Sequence, residues 1–359
     1  MSAKFGSICL KCSLLGLFLL LLQPGFSQKK QDYASPAYKW GELDQELEAK
    51  KKLLGTDAVM MVWKQGDTLV YKKEMGDFNS KTQAPIASCS KWLTAALVMQ
   101  FVDEGKLSLD DKITKWLPEF EKYGKNYITL RICLAHMTGI EDEGGFLKKL
   151  FQRKKFESLE EEVNSFAARE IRANAGEDFW YGSIGLNIAG RVLEVISKKR
   201  FDVIIKQKLF NPMTMRRTSF TSMDGSSLNP SGGALSTAED YMKFLVMLMN
   251  KGNYNGVQIL KEESVNALMQ IQTKPSIIKY APEPAKGYNY ALGSWAIEEK
   301  DGKATTLASP GLFGTWPMVD FCRGYAYLVF VKNLLGDEKA DEYMLLKKLV
   351  DAQIKPVCN

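Results

Sequence analysis

Ser88, Cys89, Ser90 and Lys91 set a hydroxyl and an amine three residues apart, and on a helix positions i and i+3 share a face. The residues that follow, with Trp92, Leu93, Ala96, Leu97, Met99 and Val102 as the apolar face, predict a helix that begins near Ser88 and is capped at Gly105. Ser88 then has its own N–H and the positive end of the helix dipole beside it, which favours an alkoxide and a developing oxyanion. The same dipole and burial both favour a neutral amine at Lys91, the form that accepts a proton from a serine nucleophile. Such a pair needs no imidazole, and His136 is the only histidine in 359 residues. A multi-histidine metal site is thereby excluded, and a Ser-His-Asp triad is open only if His136 belongs to it. The spacing alone is a weak signal. Ser27 with Lys30 and Ser276 with Lys279 repeat it away from any convincing amphipathic helix, and the plain reading of Ser88 is an N-cap with an exposed lysine one turn on.

The elements that must position this pair lie in a chain that is 45% hydrophobic and 25% charged, the composition of a globular protein of one large or two moderate domains. Lys and Arg total 48 against 42 Asp and Glu, a net +6, with both signs spread along the chain, so no basic stripe points to nucleic acid. Lys4 and Lys11 precede the apolar run Leu14 to Leu22, which is too short to span a bilayer and suits a signal-peptide core. With small residues at Gly25 and Ser27, cleavage after Ser27 is expected. That places the mature chain, residues 28–359, in a periplasmic or extracellular compartment, with no integral membrane segment. Cys9 and Cys12 leave with the signal. Of the remaining cysteines, Cys89, Cys133 and Cys322 read as free buried thiols and Cys358 is left open. The basic run Lys148 to Lys155, followed at once by Glu157 and Glu160 to Glu162, reads as a solvated helix face.

Leu43, Leu47 and Leu54 have helical spacing between Trp40 and Leu54, and two β-branched and apolar runs flank Gly66-Asp67 as an antiparallel hairpin. Residues from about 108 to 285 are mostly helical in pattern. Strand-like runs return at Tyr290 to Glu298, Ala304 to Ser309 and Gly324 to Lys332, followed by an amphipathic helix from Asp337 to Ile354. Strands at both ends with helices between predict an α+β fold: one antiparallel sheet flanked by helices, built from about 36–110 and 286–359, carrying a helical insertion over about 111–285.

Beyond Ser88-Cys89-Ser90-Lys91, the run Phe101 to Asp111, the loop Leu134-Ala135-His136-Met137-Thr138-Gly139 and the segment Gly233 to Asp240 together resemble the serine β-lactamase and penicillin-binding-protein-like hydrolases, especially their class C β-lactamase and esterase branch. The matches span roughly residues 40–335. The resemblance implies that Ser88 is the nucleophile, that Lys91 and Tyr181 share its proton transfers, and that the N–H groups of Ser88 and Leu312 form the oxyanion hole. It implies a small-molecule or peptide substrate, no metal and no cofactor, and it leaves the oligomeric state open. His136 becomes a loop residue rather than a general base.

Two motifs depart from the family pattern. Tyr181-Gly182-Ser183 has a hydroxyl where the pattern has an Asn amide, which puts substrate positioning by Ser183 in question. Ser309-Pro310-Gly311 has a neutral Ser309 where a Lys or His helps bind a substrate carboxylate, while Gly311 keeps the backbone accessible. These departures favour ester or amide substrates, and the enzyme is expected to be an esterase or amidase or to be DD-peptidase-like, with a β-lactamase as a further member of the same class. The alternative from another class is a catalytically silent relative that binds peptidoglycan or peptide fragments.

Overall fold

A computed structural model describes residues 31–66, 68–141, 156–222, 225–333 and 337–358. The expected signal segment, the Ser27–Lys30 match and the basic run from Lys148 to Lys155 lie outside these residues.

Along Ala58–Lys64, successive side chains fall on opposite faces: Ala58, Met60 and Val62 join one apolar cluster, and Val59 and Met61 join another. Tyr325–Val331 alternates in the same way, with Tyr325, Tyr327, Val329 and Val331 on the first face and Ala326, Leu328 and Phe330 on the second. This period of two makes both segments strands of a sheet covered on both sides. Among the described residues eight strands form that sheet: β1 (Tyr33–Ala34), β2 (Ala58–Lys64), β3 (Thr68–Met75), β4 (Asn289–Tyr290), β5 (Trp295–Lys300), β6 (Lys303–Ala308), β7 (Trp316–Asp320) and β8 (Tyr325–Val331). Their order is β1-β3-β2-β8-β7-β6-β5-β4, antiparallel throughout. β2 pairs with β8 from Ala58↔Val331 to Lys64↔Tyr325, so the two ends of the chain meet inside one sheet, as the strand pattern predicts.

The pattern missed β7, where Pro317 sits in the middle of a buried strand and weakens any strand signal because it cannot donate to a ladder. It also ran β4 and β5 together. Gly293 separates them at φ +80, and a Cβ there would stand 2.6 Å from the Ala95 side chain and 3.0 Å from the Lys91 carbonyl. The break is therefore where the sheet edge touches the helix bearing Lys91.

Five helices matter for the site: α1 (Gly41–Ala49), α2 (Ser90–Asp103), α3 (Ile184–Ser197), α4 (Ala238–Met249) and α5 (Asp337–Asp351). α1 and α5 cover one face of the sheet through Leu43, Leu47, Tyr343, Leu346 and Val350. α2, α3 and α4 belong to the cluster on the other. α2 is buried on every side from Ser90 to Phe101, more than the one-faced pattern predicts, because neighbouring helices enclose it. Two of its buried hydroxyls bond within the protein. Thr94 Oγ1 donates to the Pro230 carbonyl at 2.7 Å, and Ser90 Oγ accepts from the Ala234 N–H at 3.1 Å. No described helix is long and apolar enough to cross a membrane.

Cys89 and Cys133 are buried free thiols, as expected. Cys322 is not: it is bonded to Cys358. The Val357 N–H donates to the Cys322 carbonyl at 2.9 Å, so the chain end returns to the turn after β7 and brings its last cysteine with it. Sequence separation carried no trace of that return.

Candidate active site

The turn into α2 positions the hydroxyl. Ala87–Cys89 forms a single 3₁₀ turn, and Ala87 has φ +44, a left-handed conformation that costs a residue with a Cβ on the order of 1 kcal/mol. The turn leaves Ser88 half-buried on the wall of a cleft of about 820 Å³ that also includes Lys91, Tyr181, Ser183 and Leu312. Lys91, one helical turn on and 4% exposed, donates from Nζ to Ser88 Oγ at 3.2 Å and to the Ser231 carbonyl at 2.8 Å. The same Nζ lies 4.8 Å from the centre of the Tyr181 ring. Burial pushes the Tyr181 phenol well above its ordinary pKa, an effect partly offset by the Ser88 hydroxyl beside it. At neutral pH Tyr181 is therefore a phenol, not a phenolate.

Tyr181 is held from behind. Phe179–Trp180 pairs in parallel with Ile278–Tyr280, and the Tyr181 N–H donates to the Tyr280 carbonyl at 3.1 Å. The His136 ring lies 4.7 Å from the Tyr181 ring, and the Trp295 ring lies 5.2 Å from it. His136 Nε2 is 3.1 Å from the Tyr290 hydroxyl, and its carbonyl accepts from the Trp180 N–H at 3.0 Å. Burial, with Lys91 adding to it, holds the imidazole well below its ordinary pKa. His136 is thus a neutral ring packed against Tyr181.

The third motif departs from its expected placement. β6 ends at Ala308, so Ser309, Pro310 and Gly311 lie in the turn after the strand rather than on it. Pro310 has no N–H to extend the ladder, and the Ser309 N–H to the Pro317 carbonyl, 3.3 Å, is the last rung. The Ser309 hydroxyl is buried within bonding distance of the Ser88 carbonyl at 3.3 Å and the Gly293 carbonyl at 3.4 Å, outside the set of residues that line the cleft. Gly311 is required by close approach, since a Cβ there would stand 2.3 Å from the Ile86 carbonyl oxygen. It seats the turn against the nucleophile corner and so sets Leu312 on the cleft wall. The Leu312 N–H has no acceptor among the described residues.

Sequence reasoning passed over Ser231, whose carbonyl holds Lys91. Its N–H donates to Asn187 Oδ1 at 3.1 Å, and its hydroxyl donates to Asn229 Oδ1 at 2.7 Å. The stretch Asn229-Pro230-Ser231-Gly232-Gly233 signals a tight turn in the sequence, but nothing in it announces a lysine 140 residues away. Arg172, Trp180 and Tyr280, which line the cleft beyond Tyr181, were also not singled out as binding residues.

The family model described as "Beta-lactamase" matches residues 45–350. The Mycobacterium tuberculosis protein Rv1367c is 26% identical over 331 residues, covering 73% of this chain and 82% of that protein. A Bacteroides dorei protein solved as a candidate β-lactamase superposes with a TM-score of 0.77 at 25% identity, over 88% of this chain and 99% of its own. The octameric penicillin-binding protein homologue from Pyrococcus abyssi superposes with a TM-score of 0.71 at 20% identity, over 88% and 79%.

Proposed function

Because the chain belongs to the β-lactamase family, we propose that it is a serine hydrolase in which Ser88 forms an acyl-enzyme. The observation that carries this reading is the 3.2 Å contact between Lys91 Nζ and Ser88 Oγ inside a cleft shared with Tyr181. Ser88 Oγ attacks the substrate carbonyl carbon and its proton passes to Lys91 Nζ, which acts in its neutral form. The N–H groups of Ser88 and Leu312 receive the oxyanion, each such donor being worth about 3 kcal/mol in the transition state. Collapse expels the leaving group, which takes a proton through the Tyr181 phenol. Water attacks the acyl-Ser88 carbonyl by the same route in reverse, and Ser88 regains its proton.

The substrate is an ester or amide rather than a β-lactam or a peptidoglycan stem. Two observations support this choice. Ser309 supplies a buried hydroxyl where the family resemblance leads one to expect a cation. The cleft is walled largely by apolar and aromatic side chains, among them Ile184, Pro282, Trp295 and Phe313. The Cys322–Cys358 disulfide supports an exported protein, since such bonds persist in oxidising compartments. Export is tested by N-terminal sequencing: Gln28 at the start of the exported chain is expected, and an intact Met1 overturns it.

The test of the activity is mass spectrometry after incubation with a fluorophosphonate. One adduct on Ser88, absent in Ser88→Ala, is expected. No adduct overturns the hydrolase reading in favour of a protein that only binds. Among adduct-forming outcomes, turnover of p-nitrophenyl esters ahead of nitrocefin and D-alanyl-D-alanine peptides is expected, and the opposite ranking overturns the ester or amide assignment.

A further inference from the structure

We infer that Arg172 recognises a carboxylate carried by the substrate, at the Trp180 wall of the cleft. This rests on the hydrolase reading above and narrows its substrate class to esters or amides with an anionic arm. Among the described residues the charged side chains lining the cleft are Lys91, Arg172 and Glu283. Lys91 is committed to Ser88 and Ser231, and Glu283 pairs with Lys286. Arg172 is differently placed. Its guanidinium carbon lies 4.0 Å from the centre of the Trp180 ring, and Trp180 stacks in turn with Tyr280. Trp180 is fixed at its backbone by His136, so the aromatic wall holds the guanidinium by a cation–π contact without using its N–H donors.

Those donors are incompletely used. Nη2 reaches Glu141 Oε1 at 3.3 Å, Nε is buried without a partner, and Nη1 has none among the described residues. Glu141 is 47% exposed against 22% for Arg172. An ion pair to so exposed a carboxylate contributes little, and a substrate carboxylate displaces it at small cost. A planar fork with unused donors, fixed on an aromatic wall, suits a carboxylate better than a neutral group.

The experiment compares kcat/KM within two pairs of esters. Mono-p-nitrophenyl glutarate against p-nitrophenyl valerate places the carboxylate on the acyl arm, and 4-carboxyphenyl acetate against phenyl acetate places it on the leaving group. In one pair the carboxylate is expected to raise kcat/KM relative to the neutral partner. Arg172→Gln is expected to lower that ratio by about tenfold to a hundredfold, Arg172→Lys by less, and Glu141→Gln to raise it. A ratio unchanged in Arg172→Gln, with both members slowed alike, identifies a purely structural role and overturns the inference, as does the absence of any carboxylate preference in the wild type. In either case hydrolysis of the neutral esters and the Ser88 adduct leave the hydrolase reading standing. If no ester turns over and no adduct forms, both fail together.

Discussion

Lys91 and Lys347 are both almost fully buried, on opposite sides of the sheet, and their surroundings differ. Lys347 on α5 faces Asp351 at 2.7 Å, Glu298 at 2.9 Å and Asp320 at 3.4 Å. Burial alone lowers its pKa, but the hydrogen bonds and charges of Asp351 and Glu298 outweigh that and hold it above the ordinary value. Lys91 on α2 donates to a hydroxyl and a main-chain carbonyl, with a phenol ring at its side. A carboxylate holds a proton on an amine, whereas a hydroxyl or a carbonyl accepts an N–H from the amine in either state. The first arrangement locks a permanent cation into the packing. The second sets the amine beside the hydroxyl where the proposed chemistry needs a proton acceptor.

Removing each lysine separates the two roles. Lys91→Met is expected to slow ester hydrolysis or fluorophosphonate labelling by about 10³- to 10⁴-fold, or about 4–5 kcal/mol of barrier, while the melting temperature stays within a few degrees. Lys347→Met is expected to do the reverse. It leaves buried Asp320 and its neighbours short of a cation and costs about 3–5 kcal/mol of folding stability in a denaturant titration, with the labelling rate of folded molecules unchanged. A Lys91 variant that melts early and labels normally would sink the contrast.

The region around Lys347 also includes Arg323, which reaches Asp320, Asp351 and Glu298 and follows the disulfide-bonded Cys322 directly. Cys358→Ser is expected to cost about 2–4 kcal/mol by releasing the chain end, measured as a shift in the denaturant midpoint with the Ser88 labelling rate unaltered. The smallest effect belongs to the other side of the sheet. The folded pKa of His136 lies below its unfolded value, so below that unfolded value the unfolded chain takes up a proton that the folded chain refuses. Stability contributed by the neutral ring is complete above about pH 6.5 and is lost as the pH falls towards the folded pKa, about 1 kcal/mol between pH ~7.5 and ~5.5. Because the chain has a single histidine, His136→Asn should flatten that part of the pH–stability profile. A persistent slope would place its origin elsewhere.

Much of this was legible in the chain itself. The Ser88–Lys91 pair could be read because helical geometry relates residues three apart whatever surrounds them. The alternation along β2 and β8 and the turn at Gly66 likewise made the hairpin and the two-ended sheet readable, since a period of two survives without knowledge of the partner strand. Pro317 hid a strand by breaking that local rule inside a well-supported sheet. The side on which the Ser309 hydroxyl lies was not legible, because it depends on carbonyls of Ser88 and Gly293 that arrive from other elements.

Spacings of a few residues were enough to place Ser88 and Lys91 on one helix face, to set strands at both ends of the chain with helices between, and to carry the motifs of the family it resembles. It took packing to bring the Ser231 carbonyl to Lys91, Cys358 to Cys322, and Arg172 onto Trp180 in the same cleft as Ser88. The physical reason is that a contact across many residues depends on how the layers pack, and packing is set by the shape and volume of all the buried side chains together.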